Sequence, residues 1–483
     1  RAVRLASGAA PSIDAALAAS IAAHALEDNV YLLDLGAVAR AHAAWAARLP
    51  RVTPFYAVKC NPDPALVATL AALGAGFDCA SAAEVDLVLA LGVPPSRIVY
   101  ANACKRPSDV RHAAAVGVDL TTFDTAAELR KLAALHPASK ALLRLRADDP
   151  AARCQLGNKY GCEPGDAPGL LALAAQLGIS VAGISFHVGS GASNPDAFAS
   201  AIALARDAFD AGSAAGHAMT ILDIGGGFLA PGIAPAAAIA AVGGPGSPGA
   251  AAAFPAGLDL GAIPDAVNAA LEAHFPTTGG PAAAVRVIAE PGRYFAEAAA
   301  TLACLVYGVR DGAASCGAPT RAYWITDGLY GSMNSVLYDH ATLTARPLVG
   351  VGPTGGGMGV KAEVGGVGGS GEEGGAPPVC GEPAILVPPP LPRPPPRTSS
   401  DAHNSCGRGC CAHVPPGQVR STLFGPTCDG LDTVLSDYAL PPLAPGDWVA
   451  FPCMGAYTLA GASAFNGFDA TRPTVVYAWS EHP

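Results

Sequence analysis

Lys59 ends an apolar run in Phe55-Tyr-Ala-Val-Lys-Cys-Asn61. A lysine so placed is either a solvated surface charge or an amine that joins a carbonyl cofactor as a Schiff base and exchanges it for a substrate amine. Several other residues bear on the choice. Gly225, Gly226 and Gly227 follow another apolar run in Leu222-Asp-Ile-Gly-Gly-Gly-Phe228. Adjacent glycines let backbone N–H groups close around a phosphate, although among 57 glycines a bare turn is an equal alternative. The spacing is neither a dinucleotide fingerprint nor a Walker loop. Ser190, in Phe186-His-Val-Gly-Ser-Gly191, offers a hydroxyl to the same anion, and His187 is either a satisfied core histidine or a plate for a planar ring.

Glu290 opens Glu-Pro-Gly-Arg293, a turn completed by Pro291 and Gly292. A carboxylate facing a pyridine nitrogen keeps it protonated and makes the ring an electron sink, which loss of CO₂ requires. Arg293 suits a charge-assisted hydrogen bond to phosphate, and a buried salt bridge at a turn is the plainer alternative. A further set comprises Cys428 and Asp429, in Gly425-Pro-Thr-Cys-Asp-Gly-Leu-Asp432, with Tyr338 and Asp339 in Tyr338-Asp-His340. A thiol and two carboxylates suit a proton donor and a pocket for a distal ammonium; equally, the thiol could be buried and the carboxylates cap turns. His403, Cys406, Cys410, Cys411 and His413 follow no standard zinc spacing, so no metal is expected.

These residues need elements to hold them. Eight β-rich runs, at 55–58, 76–79, 98–101, 119–123, 141–146, 181–188, 221–224 and 285–289, alternate with Ala/Leu-rich stretches of helical character. The alternation predicts an α/β fold, a closed TIM-type (β/α)₈ barrel over 31–298, whose strand ends carry Lys59, Asp78, His187, the three glycines and Glu290. After 298 the runs at 301–309, 322–326, 448–451 and 474–478 predict a C-terminal all-β domain over 299–483. Segments 231–256 and 350–418 are too rich in Ala, Gly and Pro to build a core and are expected to be flexible insertions.

With 483 residues there is room for a barrel and a second domain. The net charge of −10 argues against nucleic acid or an anionic membrane as partner. No apolar run approaches the ~20 residues that span a bilayer. The 13 cysteines, unpaired in number and without framework spacing, suit reduced thiols in a cytoplasmic protein. The chain opens on Arg1-Ala-Val-Arg4 with neither an apolar signal core nor an initiator Met, so any preceding segment stays open.

Assembled in order, Tyr-Ala-Val-Lys-Cys-Asn, Phe-His-Val-Gly-Ser-Gly, Asp-Ile-Gly-Gly-Gly-Phe, Glu-Pro-Gly-Arg-Tyr, Asp-Gly-Leu-Tyr-Gly-Ser, Gly-Pro-Thr-Cys-Asp-Gly-Leu-Asp and Met-Gly-Ala-Tyr-Thr make the chain resemble the eukaryotic ornithine decarboxylases. These are group IV pyridoxal-phosphate enzymes of alanine-racemase-like fold, and the likeness covers about 31–346 and 421–480. The resemblance implies decarboxylation of L-ornithine to putrescine, in polyamine biosynthesis. Lys59 would hold pyridoxal 5'-phosphate, His187 stack on its ring, and Glu290 pair with its nitrogen. Ser190, Gly227, Arg293 and Tyr457 would bind its phosphate, with Asp78 and Glu84 nearby. Cys428 would serve decarboxylation and product protonation, and Asp339 and Asp429 would receive the substrate's side-chain ammonium. Cys428 and Asp429 would come from a second subunit of a head-to-tail homodimer, and residues 1–30 would join the β domain. An antizyme-like regulator is a possible partner.

One departure stands out: Gln155, in Arg153-Cys-Gln-Leu-Gly-Asn-Lys-Tyr-Gly161, replaces an arginine of the animal members, and Arg153 is an open substitute. The alternatives are a lysine, arginine or diaminopimelate decarboxylase, or a non-catalytic regulator like antizyme inhibitor. Cys-Asp-Gly-Leu-Asp argues against diaminopimelate, Glu290 against a racemase, and Lys59, Glu290, Arg293 and Cys428 together against a dead enzyme. Lysine is harder to exclude, since one methylene is worth only about 1–3 kcal/mol of discrimination.

Overall fold

The computed structural model describes residues 2–4, 12–230, 261–278, 285–315, 317–351 and 414–480. Segment 231–256, nearly all of 350–418 and the His403–His413 cluster lie outside them. Strands run in the order β1 (Ala2–Arg4), β2 (Val30–Asp34), β3 (Val52–Ala57), β4 (Gly76–Cys79), β5 (Ile98–Tyr100), β6 (Leu120–Phe123), β7 (Lys140–Leu145), β8 (Ser180–Phe186), β9 (Ile221–Asp223) and β10 (Arg286–Ala289). Then come β11 (Ala300–Ala313), β12 (Pro319–Ile325), β13 (Arg346–Pro347), β14 (Val419–Phe424), β15 (Thr433–Leu440), β16 (Trp448–Phe451) and β17 (Thr474–Trp479).

Strands β3 to β10 close into a parallel barrel, with Val287 of β10 beside Val52 of β3 and Leu222 of β9. The eight expected runs are its eight strands. Such strands are apolar on both faces because helices cover the outside and side chains fill the inside. A buried cluster of Phe55, Val99, Leu142, Ala182 and Ile288 packs separately from the main core. Gly76 makes room for it, since a Cβ there would meet the Phe55 ring at 2.6 Å. The barrel helices start on side-chain caps: Asp63 accepts from Ala65 and Leu66 N–H, and Ser81 and Thr125 from Glu84 and Glu128 N–H.

The remaining strands form a second sheet in the order β1-β17-β2-β11-β12-β14-β15, with β16 on β11 and β13 on β16. This domain is mostly rather than entirely β. Helix Ile13–His24 packs Leu17 and Ile21 onto Val30, Leu32, Trp448 and Val476. The expected boundary at 31 falls inside β2, so Tyr31 to Asp34 belong to the sheet and not to the barrel. An apolar five-residue run says that it is buried, but not in which sheet. Among the described residues, no helix is long and apolar enough to cross a membrane.

Candidate active site

The C-terminal ends of the barrel strands bring most of the singled-out residues together. Lys59 lies on a 3₁₀ turn, Val58–Cys60, directly after β3, and Asp78 lies within β4. His187, the glycines and Glu290 follow β8, β9 and β10. Lys59, His187, Ser190, Glu290, Tyr338, Asp339 and Tyr457 line a cavity of about 430 Å³. Lys59, Gly227, Gly292, Arg293 and Tyr457 meet at its inner end.

Glycine at 226 keeps the floor open: a Cβ there would stand 2.7 Å from Glu290 O and 2.8 Å from His187 Nε2. Gly227 has φ +106°, and a Cβ would meet Gly189 O at 2.6 Å. Pro291 O accepts from Ala57 N–H at 3.3 Å and Glu290 N–H donates to Gly225 O at 2.7 Å, so the Glu290 turn is tied to the strands on both sides.

The charges are densely packed. Lys59 Nζ pairs with the fully buried Asp78. Burial works against the Lys59 ammonium, but Asp78 and Glu290 outweigh it and hold its pKa above the ordinary lysine value. Burial, with Asp223 and Asp78 close by, pushes the Glu290 carboxyl well up. Burial likewise raises Asp223 to about 7, although its Oδ1 accepts from Gly225 N–H at 2.9 Å. Glu84 is raised by burial although its carboxylate accepts the Ala80 N–H at 2.7 Å. Burial, then Arg144 and Lys59, lower His187 far below its usual value, so the imidazole is neutral. Its Nδ1 accepts from Gly189 N–H at 3.0 Å, which puts the ring proton on Nε2.

Arg293 is 3% exposed and donates to Glu297 Oε1 at 3.1 Å, Ser190 Oγ at 3.1 Å and Asp339 Oδ1 at 2.6 Å. It lies 5.2 Å over the Tyr457 ring, and Tyr457 is itself fixed by its N–H to Cys60 O at 2.9 Å.

Pyridoxal phosphate fits this arrangement. The buried acids Asp78, Asp223 and Glu290 outnumber the cations Lys59 and Arg144, so a positive group such as a protonated ring nitrogen placed among them would favour their ionised form. Asp78 Oδ1 and Asp223 Oδ2 are buried without hydrogen-bond partners. At the other end, Arg293 Nε is buried and unpaired beside Ser190 and Gly227, where a phosphate could sit.

Cys428 and Asp429 lie elsewhere. They stand on the exposed loop between β14 and β15 and do not line the Lys59 cavity. Cys428 N–H donates to Asn466 Oδ1 at 3.2 Å; Asp429 accepts from the Tyr330 hydroxyl and from Leu431 N–H. Tyr338 is 77% exposed at the cavity mouth, whereas Asp339 beside it is buried.

Other residues join the site that sequence reasoning did not single out. Arg144, near the end of β7, packs 4.9 Å from the Tyr160 ring, and both line the cavity. Strand alternation within 141–146 could have flagged the arginine, and Asp223 stands two residues before the glycines already chosen. Arg153 reaches Glu297 and Asp339, whereas Gln155 is exposed and donates to Pro150 O.

Comparison with known proteins fits this geometry. Residues 35–297 match the pyridoxal binding domain of the pyridoxal-dependent decarboxylases, and 395–455 match their C-terminal sheet domain. The chain belongs to the pyridoxal-dependent decarboxylases. Within that class it is ornithine decarboxylase-like. It is 40% identical over 455 residues to the chloroplastic ornithine decarboxylase of Nicotiana glutinosa, covering 93% of this chain and 85% of that protein. It is 38% identical over 463 residues to the Rattus norvegicus ornithine decarboxylase, covering 94% and 81%. Among solved structures, the arginine decarboxylase of Paramecium bursaria Chlorella virus bound to agmatine superposes with TM-score 0.73 at 32% identity, covering 96% of this chain and all of that one. The lysine/ornithine decarboxylase of Vibrio vulnificus with putrescine gives 0.69 at 26% identity, covering 97% and 98%.

Proposed function

We propose that this pyridoxal-dependent decarboxylase acts on L-ornithine and releases putrescine. The observation that carries the proposal is one cavity that holds Lys59, Glu290 and the buried carboxylate of Asp339 together. Lys59 would hold pyridoxal phosphate covalently at Nζ, the neutral His187 would lie against its ring, and Glu290, steadied by Asp223, would accept the ring N–H. Arg293, Ser190, Gly225 to Gly227 and Tyr457 would bind its phosphate, with Asp78, Glu84, Pro291 and Gly292 shaping the surroundings. When bound, the cofactor supplies an electron sink for the pair left as CO₂ departs. Asp339 would receive the distal ammonium of the substrate, beside Tyr338.

Among the residues lining the cavity the thiol is that of Cys154, which donates to Asp339 Oδ1 at 3.7 Å, while Cys428 and Asp429 lie outside it on the loop between β14 and β15. Both would reach the cavity of another copy in a homodimer with shared sites, the partner subunit's Cys428 giving the product its proton. Relatives named ornithine decarboxylase support the substrate. The likeness to an arginine decarboxylase favours a second reading, a longer basic amino acid. CO₂ release from L-ornithine, L-lysine and L-arginine compared by kcat/KM tests the choice; a higher value for lysine or arginine overturns ornithine and keeps the chemistry. The eight described cysteines, all free thiols, support a cytoplasmic enzyme, and fractionation tests that against the plastid named for the Nicotiana relatives. Co-purification with an antizyme-like regulator would test that partner.

A further inference from the structure

The geometry points to Arg153 as the positioning residue that leaves Arg293 free to bind phosphate; this rests on the reading of Arg293 given above. The two arginines share two carboxylates. Arg293 Nη1 donates to Glu297 Oε1 at 3.1 Å and its Nη2 to Asp339 Oδ1 at 2.6 Å. Arg153 Nη1 reaches the same Glu297 Oε1 at 3.3 Å and stands 3.5 Å from Asp339 Oδ2. All four side chains are at most 14% accessible. Two cations and two carboxylates balance, so neither carboxylate depends on Arg293 alone.

The backbone fixes Arg153 where this balance is needed. Its N–H donates to Gly191 O at 3.3 Å, and Cys154 and Ser190 exchange N–H···O bonds of 3.0 and 2.9 Å. The arginine is thus fastened to the loop whose Ser190 hydroxyl accepts from Arg293. Gln155 has no such role, its amide donating outward to Pro150 O at 3.0 Å. Without Arg153 the buried cluster would carry one net negative charge beside Ser190. That charge would repel a phosphate and tie Arg293 to the carboxylates, and burial makes such repulsion stronger than it would be in water.

The test is cofactor affinity, read by visible absorbance after equilibrium dialysis of the holoenzyme in the absence of substrate. Arg153→Gln is expected to weaken pyridoxal phosphate binding about tenfold, within the range of couplings between linked sites. Arg153→Lys, and the charge-rebalanced double variant Arg153→Gln/Glu297→Gln, are expected to stay within about threefold of wild type, as is the control Gln155→Ala. Wild-type affinity in Arg153→Gln overturns the inference. So does a double variant as weak as the single one, since that would mean a steric role. If Arg153→Gln fails to fold, the double variant alone decides by the same threshold. A wild-type protein with no bound cofactor would instead overturn the phosphate reading of the cavity.

Discussion

At the barrel mouth, Asp78, Asp223 and Arg293 are buried side chains held by Lys59, by Gly225 N–H and by Glu297 with Asp339, and a single chain supplies all of them. On the sheet domain, Cys428 is exposed on a loop closed by the buried Asp432 and tied to the Asn466 side chain and Tyr330. The first region is built to bind and tune a cofactor from within. The second offers a thiol and a carboxylate outward, next to Leu431, which is 69% exposed. Burial shifts pKa values in the first region and leaves it little freedom to move, while the second needs another surface to give it an environment. On the proposed reading, binding and product protonation would be divided between parts of the molecule with different demands.

Substitutions that act on one region and spare the other can break this contrast. The largest effect is expected from Lys59→Ala, which should abolish covalent cofactor absorbance and lower kcat by on the order of 10⁴-fold or more. Retained covalent absorbance would remove Lys59 from its role. Cys428→Ala should keep that absorbance and lower kcat by roughly 10²-fold, the scale of a lost proton donor. Mixing these two variants should recover about a quarter of wild-type activity, because half the dimers would be mixed and each would hold one intact site. No recovery, with mixed dimers shown by mass spectrometry, would confine each site to one chain. Asp339→Asn should raise KM for ornithine about tenfold with a smaller change in kcat, as expected for a lost charged hydrogen bond.

The smallest effect concerns pH. Asp223 titrates in the folded protein at about 7, above the ordinary carboxylate value, so the folded chain binds the proton more tightly than the unfolded one. Its contribution is full below the unfolded carboxylate pKa and is lost as pH rises towards 7. In protein stripped of cofactor, Tm should therefore fall between about pH 4 and 7, and Asp223→Asn should flatten that slope. An unchanged slope would place that proton elsewhere.

The barrel was legible because eight apolar runs repeat at helix-sized intervals and five of them carry Lys59, Asp78, His187, the three glycines or Glu290 at their ends. β13, β14 and β15 were not, since segments with mixed burial carry no period of their own, and the fully buried β2 does not reveal which sheet it joins. Lys59, His187 and Glu290 could be found from motifs at strand ends. Arg144 and Asp223 lie within apolar runs, where a charged side chain reveals its direction only once the barrel closes. Arg153 was noticed but left undecided, because its partners Glu297 and Asp339 are remote in sequence and meet it only through the Ser190 loop. The position of Cys428 was legible as chemistry, but its exposure was not.

The position of β2 has a kinetic meaning. It lies between β17 and β11, with Leu33 opposite both Tyr477 and Ala300, while the entire barrel intervenes in the chain between β2 and β11. Its neighbours are thus among the most non-local contacts in the molecule, and closing them early would carry the loop-entropy penalty of a very long disordered segment. A barrel that folds first shortens that loop to the distance between its own two ends, so nucleation in the barrel followed by late zippering of the sheet is the faster route. The surfaces presented by the Cys428 loop would then mature last, after the pocket they are meant to serve.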